Sequence, residues 1–374
     1  MIDDSDQSND SSSDLHLTDE EFEDLETAEP NVALINYSGQ DFDVDGLVRR
    51  LNNKDIVVPS FGLDDETIET AGFQRGFVWT KKQMDRFIES LLLGYPIPGL
   101  FLVRQSDKRY LVLDGQQRLR TLQAFRSGVH NGKVFSLANV ADEFDGLTYG
   151  TLPEPLRRTF DDSFLQATVV STDGSRESLD AVYQIFERLN SGGTQLTPHE
   201  IRVALYAGPL IAEIERLNTL GSWRILYGLK KNARLRDQEL ILRSLALYLA
   251  LEKYSRPLKG FLNDFAGEYR ELDGNEVREA AQLFERATAL LAEGPGAAAL
   301  RKGSGQVNAA QSEAILVGLM QRLASGDLST NDVSSAISQL TNNENFDAAT
   351  TRSTADEQVV QARVRIATKI FGEV

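Results

Sequence analysis

The chain has 374 residues, 41% of them hydrophobic and 25% charged, the composition of a globular protein long enough to need two hydrophobic cores. It contains no cysteine, which excludes disulfides, thiolate zinc sites and cysteine nucleophiles and points to a reducing cytoplasm; no apolar run approaches the roughly 20 residues of a membrane span, so no membrane partner is expected. The net charge of −17 is local: residues 1–48 hold 15 of the 56 Asp and Glu and none of the 39 Lys and Arg, leaving the rest near neutral.

That acidic, serine-rich start lacks the basic and apolar blocks of a secretory leader. With little apolar area to offset chain entropy, residues 1–44 are predicted to be a disordered tail. Such a tail either keeps the protein soluble or docks a basic partner, and it can compete with phosphates for a DNA-binding groove.

The first ordered signal is an amphipathic segment around Leu47, Val48 and Leu51, followed by a strand at 56–59. FQRGFVW, 73–79, then leads to Thr80, a good N-cap, and Met84, Phe87, Ile88, Leu91 and Leu92 recur at helical spacing. Residues 99–104 and 110–113 read as a hairpin of central strands. A break, Asp-Gly-Gln-Gln-Arg at 114–118, separates the second strand from a helix whose core face is Leu119, Leu122 and Phe125. One more strand is predicted at 166–171. From about 176 the pattern turns helical, and Thr197, Pro198 and Glu200 form a capping-box start. Long helical periodicities cover 209–290; Pro295, Gly296 and the glycines at 303–305 interrupt them, and a last helix is predicted at 356–370. These elements predict a small mixed-sheet domain over 45–205 and an all-helical domain over 206–374.

Three segments can carry chemistry. In DGQQR, Gly115 permits a tight turn, and the first-turn N–H groups of Gln116, Gln117 and Arg118 together with the helix dipole suit an anion. Arg118 adds a donor fork suited to phosphate. The same residues also fit a plain strand-to-helix turn. In FQRGFVW, Phe73, Phe77 and Trp79 either anchor a segment presenting Gln74 and Arg75 to one place or mark a hairpin edge with a solvated arginine; Trp79 fits a core anchor better than a base-stacking platform. In FERLNSGGTQLTPHEIR, 186–202, the double glycine after Asn190 and Ser191 is either a helix C-cap or a loop of backbone donors beside Thr194.

FQRGFVW, LVLDGQQRLRTL, FERLNSGGTQLTPHEIR and RLRDQELILRSLALYL, in that order over residues 45–265, resemble the N-terminal domain family of GmrSD-type restriction proteins, long catalogued as domain of unknown function 262. The resemblance implies a ParB/sulfiredoxin-like nucleotide-binding core followed by helices, an α+β protein. It implies that Asp114, Gly115, Gln116, Gln117 and Arg118 cradle phosphates, that Gln74 and Arg75 complete the pocket, and that Asn190, Gly192, Gly193 and Thr194 line the same cleft. It further implies a nucleoside triphosphate, with Mg²⁺, that is hydrolysed or used as a switch over a nuclease in bacterial anti-phage, modification-dependent restriction.

On that footing Arg118 and Arg75 would stabilise phosphoryl charge and Gln74 or Gln117 would position water. Asp114 would cap the loop or touch the metal. Many relatives carry a His-Asn-His nuclease domain. Here the histidines are His16, His130 and His199, expected at the surface or in caps, so no protein-held metal site is expected and cleavage is expected of a partner in trans. The cluster Lys230, Lys231, Arg234 and Arg236 can touch DNA phosphates. Asp237 and Glu239 suit the start of the next helix, where Arg243 is placed to pair with Glu239. Alternatives are a non-catalytic sensor of modified DNA and a scaffold that holds the nuclease; a homo-oligomer is compatible with either.

Overall fold

The computed structural model describes residues 15–16, 35–58, 79–105, 107–189, 197–232, 234–302 and 305–374. The protein is α+β, and its described residues fall into two compact units. Residues 35–58, 79–105 and 107–189 form the first; residues from 197 onward, with Leu15–His16, form the second. The division therefore falls before the helix Pro198–Leu205, which the sequence reading had placed in the mixed-sheet domain.

The first unit is built on a five-stranded mixed sheet. Its strands are β1 (Asn36–Asp43), β2 (Ile56–Val57), β3 (Leu100–Arg104), β4 (Tyr110–Asp114) and β5 (Phe164–Ser171), in the order β1-β5-β3-β4-β2. The predicted hairpin is β3 and β4, antiparallel with Leu102 opposite Val112. β5 pairs parallel with β3 and antiparallel with β1, and β2 runs parallel to β4. Strand β1 lies inside the segment assigned to the acidic tail. It has six exposed residues before Phe42, so its sequence lacks the alternation that marks a half-buried strand.

Among the described residues, five α-helices belong to this unit. α1 (Val44–Asn52) is capped by Asp43, whose carboxylate accepts from Gly46 N at 2.6 Å, and it buries Leu47, Val48 and Leu51. α2 (Lys81–Leu92) starts at the Thr80–Gln83 capping box and buries Met84, Phe87, Ile88, Leu91 and Leu92, as the spacing predicts. α3 (Gln116–Ser127) buries Leu119, Leu122 and Phe125; Phe125 meets Phe135 and Phe160 of α4 (Glu154–Asp161) edge-on, with centroids 5.4 and 5.3 Å apart. α5 (Arg176–Leu189) closes the unit against β4. Among its buried charged residues, Asp85 accepts from Asn139 Nδ2 at 2.7 Å and pairs with Lys81 Nζ.

The second unit is helical: α6 (Pro198–Leu205), α7 (Pro209–Asn218), α8 (Gly221–Tyr227), α9 (Arg236–Ala250), α10 (Leu258–Glu268), α11 (Glu276–Glu293), α12 (Ala309–Leu323), α13 (Thr330–Thr341), α14 (Glu344–Ala349) and α15 (Glu357–Gly372). Leu15–His16 pairs parallel with Val307–Asn308 just before α12. α12 is buried on every side from Ala309 to Met320, so it is the core helix of the unit.

Where α12 meets α15, Gly318 lets the backbones approach. A Cβ there would lie 2.8 Å from Ala367 Cβ and 2.9 Å from its carbonyl carbon. Gly318→Ala therefore gains helix propensity but must push α15 outward, and the net result is expected to be a loss of about 1–3 kcal/mol in urea unfolding. A neutral or stabilising outcome would mean the two helices separate freely at that point.

Candidate functional site

β4 delivers the site. Leu111, Val112 and Leu113 are buried and fix the strand to its end, so Asp114 emerges half exposed at the sheet margin. Gly115 then turns the chain with φ +99°, in the left-handed region that side chains disfavour. A Cβ at Gly115 would stand 2.3 Å from Leu100 Cδ2 and 3.3 Å from Arg118 Nη2, so the position is closed to other residues by space as well as by conformation. α3 starts immediately, and its N-cap residue Gly115 offers no side-chain hydrogen bond. The start of α3 is thus a dipole-positive helix end placed at the close of a buried strand.

The structure uses Arg118 differently from the phosphate fork expected of it. Its Nη1 donates to the carbonyls of Pro98 and Gly99, the latter at 3.0 Å, and its Nη2 donates to Asp114 Oδ2 at 2.8 Å. Burial lowers its pKa, while the Asp114 carboxylate opposes that shift. Arg118 therefore ties the turn to the entry of β3 and balances Asp114. Gln117 Oε1 accepts from Trp79 N at 3.3 Å, which joins the end of FQRGFVW to the first turn of α3. Trp79 packs edge-on against Phe87 with centroids 5.4 Å apart, the core anchor that its neighbours predict.

Gln74, Arg75, Asn190, Gly192, Gly193 and Thr194 lie outside the described residues. The described site is thus Asp114 to Arg118 with Trp79. The basic cluster is elsewhere, in the helical unit: Lys230 is exposed, Lys231 and Arg236 are half-buried, and Arg234 Nε lies 3.6 Å from Glu200 Oε2. That segment is held from below, since Arg224 Nη1 donates to Lys230 O at 3.1 Å and to Asp237 Oδ2 at 2.9 Å. Arg243 reaches a partner beyond the i,i+4 spacing, donating to Glu313 Oε2 at 2.8 Å.

His199 corrects an expectation. It is fully buried, not a surface or capping residue, and burial followed by the charge of Arg202 holds its pKa well below the ordinary value of 6.5. The folded protein keeps this imidazole neutral, whereas the unfolded chain protonates it below about pH 6.5. Its contribution to stability is therefore complete above that pH and is lost as pH falls toward the folded pKa, at up to about 1.4 kcal/mol per unit. Thermal melts at pH 7.5 and 5.5 check this: wild type should lose more stability than His199→Gln, and equal losses would remove His199 as the cause.

A small mixed sheet with a glycine-bearing strand-to-helix turn, followed by a helical unit, defines an α+β protein. Residues 58–207 match the family described as GmrSD restriction endonuclease, N-terminal domain. No curated protein matches the chain. Among the described residues, no helix is long and apolar enough to cross a membrane.

Proposed function

We propose that the protein is a cytoplasmic nucleoside triphosphate-binding regulator of an anti-phage, modification-dependent restriction system, and that its phosphate site is the Asp114–Arg118 turn. The observation that carries this reading is the left-handed turn at Gly115, which opens α3 at the end of β4 with a residue that offers no side-chain cap, a helix start whose dipole suits phosphate. Gln116, Gln117 and Arg118 donate their N–H groups to phosphate oxygens. Arg118 keeps the turn in shape and adds positive charge at its base. Asp114 is half exposed and uses one oxygen for Arg118, so its other oxygen suits Mg²⁺. The metal, when bound, neutralises phosphate charge. Gln117, tethered by Trp79, orients a phosphate oxygen or a water, and Gln74, Arg75, Asn190, Gly192, Gly193 and Thr194 complete the pocket. Histidine occurs only at 16, 130 and 199, so nuclease chemistry of the His-Asn-His type is assigned outside these residues, to a partner in trans.

The test is calorimetric binding of, and phosphate release from, each of the four ribonucleoside triphosphates with Mg²⁺. Saturable binding of at least one supports the reading, and release decides between hydrolysis and sensing. Absence of both would leave DGQQR as a structural turn.

A further inference from the structure

Leu15–His16, inside the acidic start of the chain, belongs to the helical unit. This pair is hydrogen-bonded to Val307–Asn308, and Val307 in turn bridges to Arg301. Arg301 reaches the end of α8, its Nη1 donating to Leu226 O at 2.6 Å and its Nη2 to Tyr227 O at 2.7 Å. The chain is therefore held at 15–16 beside the residues that lead into Leu229, Lys230 and Lys231. Two strand spacings of about 5 Å and one arginine side chain separate the two places, whereas the ten residues from 17 to 26 can span about 33 Å when extended.

The surface at the end of α8 is mixed in character. Of the large apolar side chains exposed among the described residues, the two in the helical unit are Ile225, 53% exposed, and Leu229, 81% exposed. They stand on either side of the last residue of α8, Tyr227, and the basic residues Lys230 and Lys231 follow directly. A nucleic acid phosphate would engage the lysines and leave Ile225 and Leu229 in water. The partner that suits both features is an acidic segment with apolar residues of its own. DEEFEDLE, 19–26, is such a segment: it carries six carboxylates, no basic residue, and Phe22 and Leu25 three positions apart. Tethered through Leu15–His16, it meets this surface at an effective concentration on the order of millimolar, so individually weak contacts suffice.

We propose that residues 19–26 dock on the surface formed by Ile225, Leu229, Lys230 and Lys231, so that an outside anion reaches those lysines only by displacing the chain's own carboxylates. The contact lies within the helical unit. It shares no residue with the Asp114–Arg118 turn and does not depend on nucleotide.

The chain has no cysteine, so Thr27→Cys carries a single nitroxide label next to the docking segment in the full chain, and electron paramagnetic resonance reads its motion. A slow component is expected with all other residues native. Lys230→Glu/Lys231→Glu should remove it, as should Glu20→Lys/Glu21→Lys, and the variant that combines all four changes should restore it by exchanging the charges. Leu229→Ser, at an exposed position, should reduce the slow component without touching charge. Circular dichroism confirms the fold of each variant. The proposal is overturned if the label moves freely in the otherwise native chain, if it stays slow in folded Lys230→Glu/Lys231→Glu, or if the charge exchange does not restore the slow component. Duplex DNA is the competing occupant: binding that requires Lys230 and Lys231 yet leaves the label slow would give the surface to nucleic acid and also overturn the proposal.

Discussion

Glu313→Gln is expected to destabilise the protein by about 3–5 kcal/mol, the cost of removing one partner from a buried ion network. Glu313 sits on the core helix α12 and is 1% exposed. It accepts from Arg243 Nε of α9 at 2.8 Å and pairs with Arg363 Nη2 of α15, so one carboxylate joins three helices. Arg363 is further fixed by donating Nη1 to Thr354 O at 2.6 Å. Glutamine preserves size and shape but leaves two buried guanidinium groups facing a neutral amide whose NH₂ cannot accept. Against a total stability of about 5–15 kcal/mol this is a large fraction, so urea unfolding should show it plainly as a lowered midpoint. A loss under about 1 kcal/mol would mean that water reaches the arginines and the network is not dry. The converse substitution sharpens the test. Replacing Glu313, Arg243 and Arg363 together by Leu and Met should cost far less than Glu313→Gln alone, because the penalty lies in stranded charge and not in lost packing.

That network also shows where sequence reasoning ends. Features written in a few consecutive residues were legible: the Thr80 N-cap, the Thr197 capping box, the β3–β4 hairpin and the Leu119, Leu122 and Phe125 face of α3 all stand where their spacing puts them. Features that depend on distant chain were not. Arg243 suggests Glu239 by helical arithmetic, yet it reaches Glu313, which only the packing of α9 on α12 brings near. β1 is polar and exposed, and it becomes a strand because β5, far along the chain, supplies its hydrogen bonds. The Arg118 side chain reads as a free phosphate fork because its local context is a turn, while the Pro98 and Gly99 carbonyls that it binds lie just before β3, across the hairpin. His199 looked like part of a cap for the same reason: its burial comes from the helical unit around it, where Asn263 of α10 engages its neighbour Arg202. The family, by contrast, was legible from ordered motifs, since those are strings of residues and need no fold to be read.

The second large effect is expected at Gly115. Gly115→Ala places a Cβ where φ is +99° and where Leu100 Cδ2 would be 2.3 Å away. The left-handed backbone costs about 1–2 kcal/mol, and moving the fully buried Leu100 adds overpacking of about 1–3 kcal/mol. Relief through a changed backbone would rotate the amides of Gln116, Gln117 and Arg118 away from a common point, so nucleotide binding should fall by at least tenfold together with stability. Leu100→Val separates the two causes, because valine lacks a δ-methyl and suits a strand. In the double variant Leu100→Val/Gly115→Ala the clash is gone and only the backbone preference remains. If stability recovers while nucleotide binding stays lost, the left-handed turn itself aims the amides, and the phosphate reading of DGQQR holds. Should binding return with stability, the turn needs only room; if binding never depended on Gly115 in any folded variant, the phosphate lies elsewhere and Asp114–Arg118 serves the fold alone.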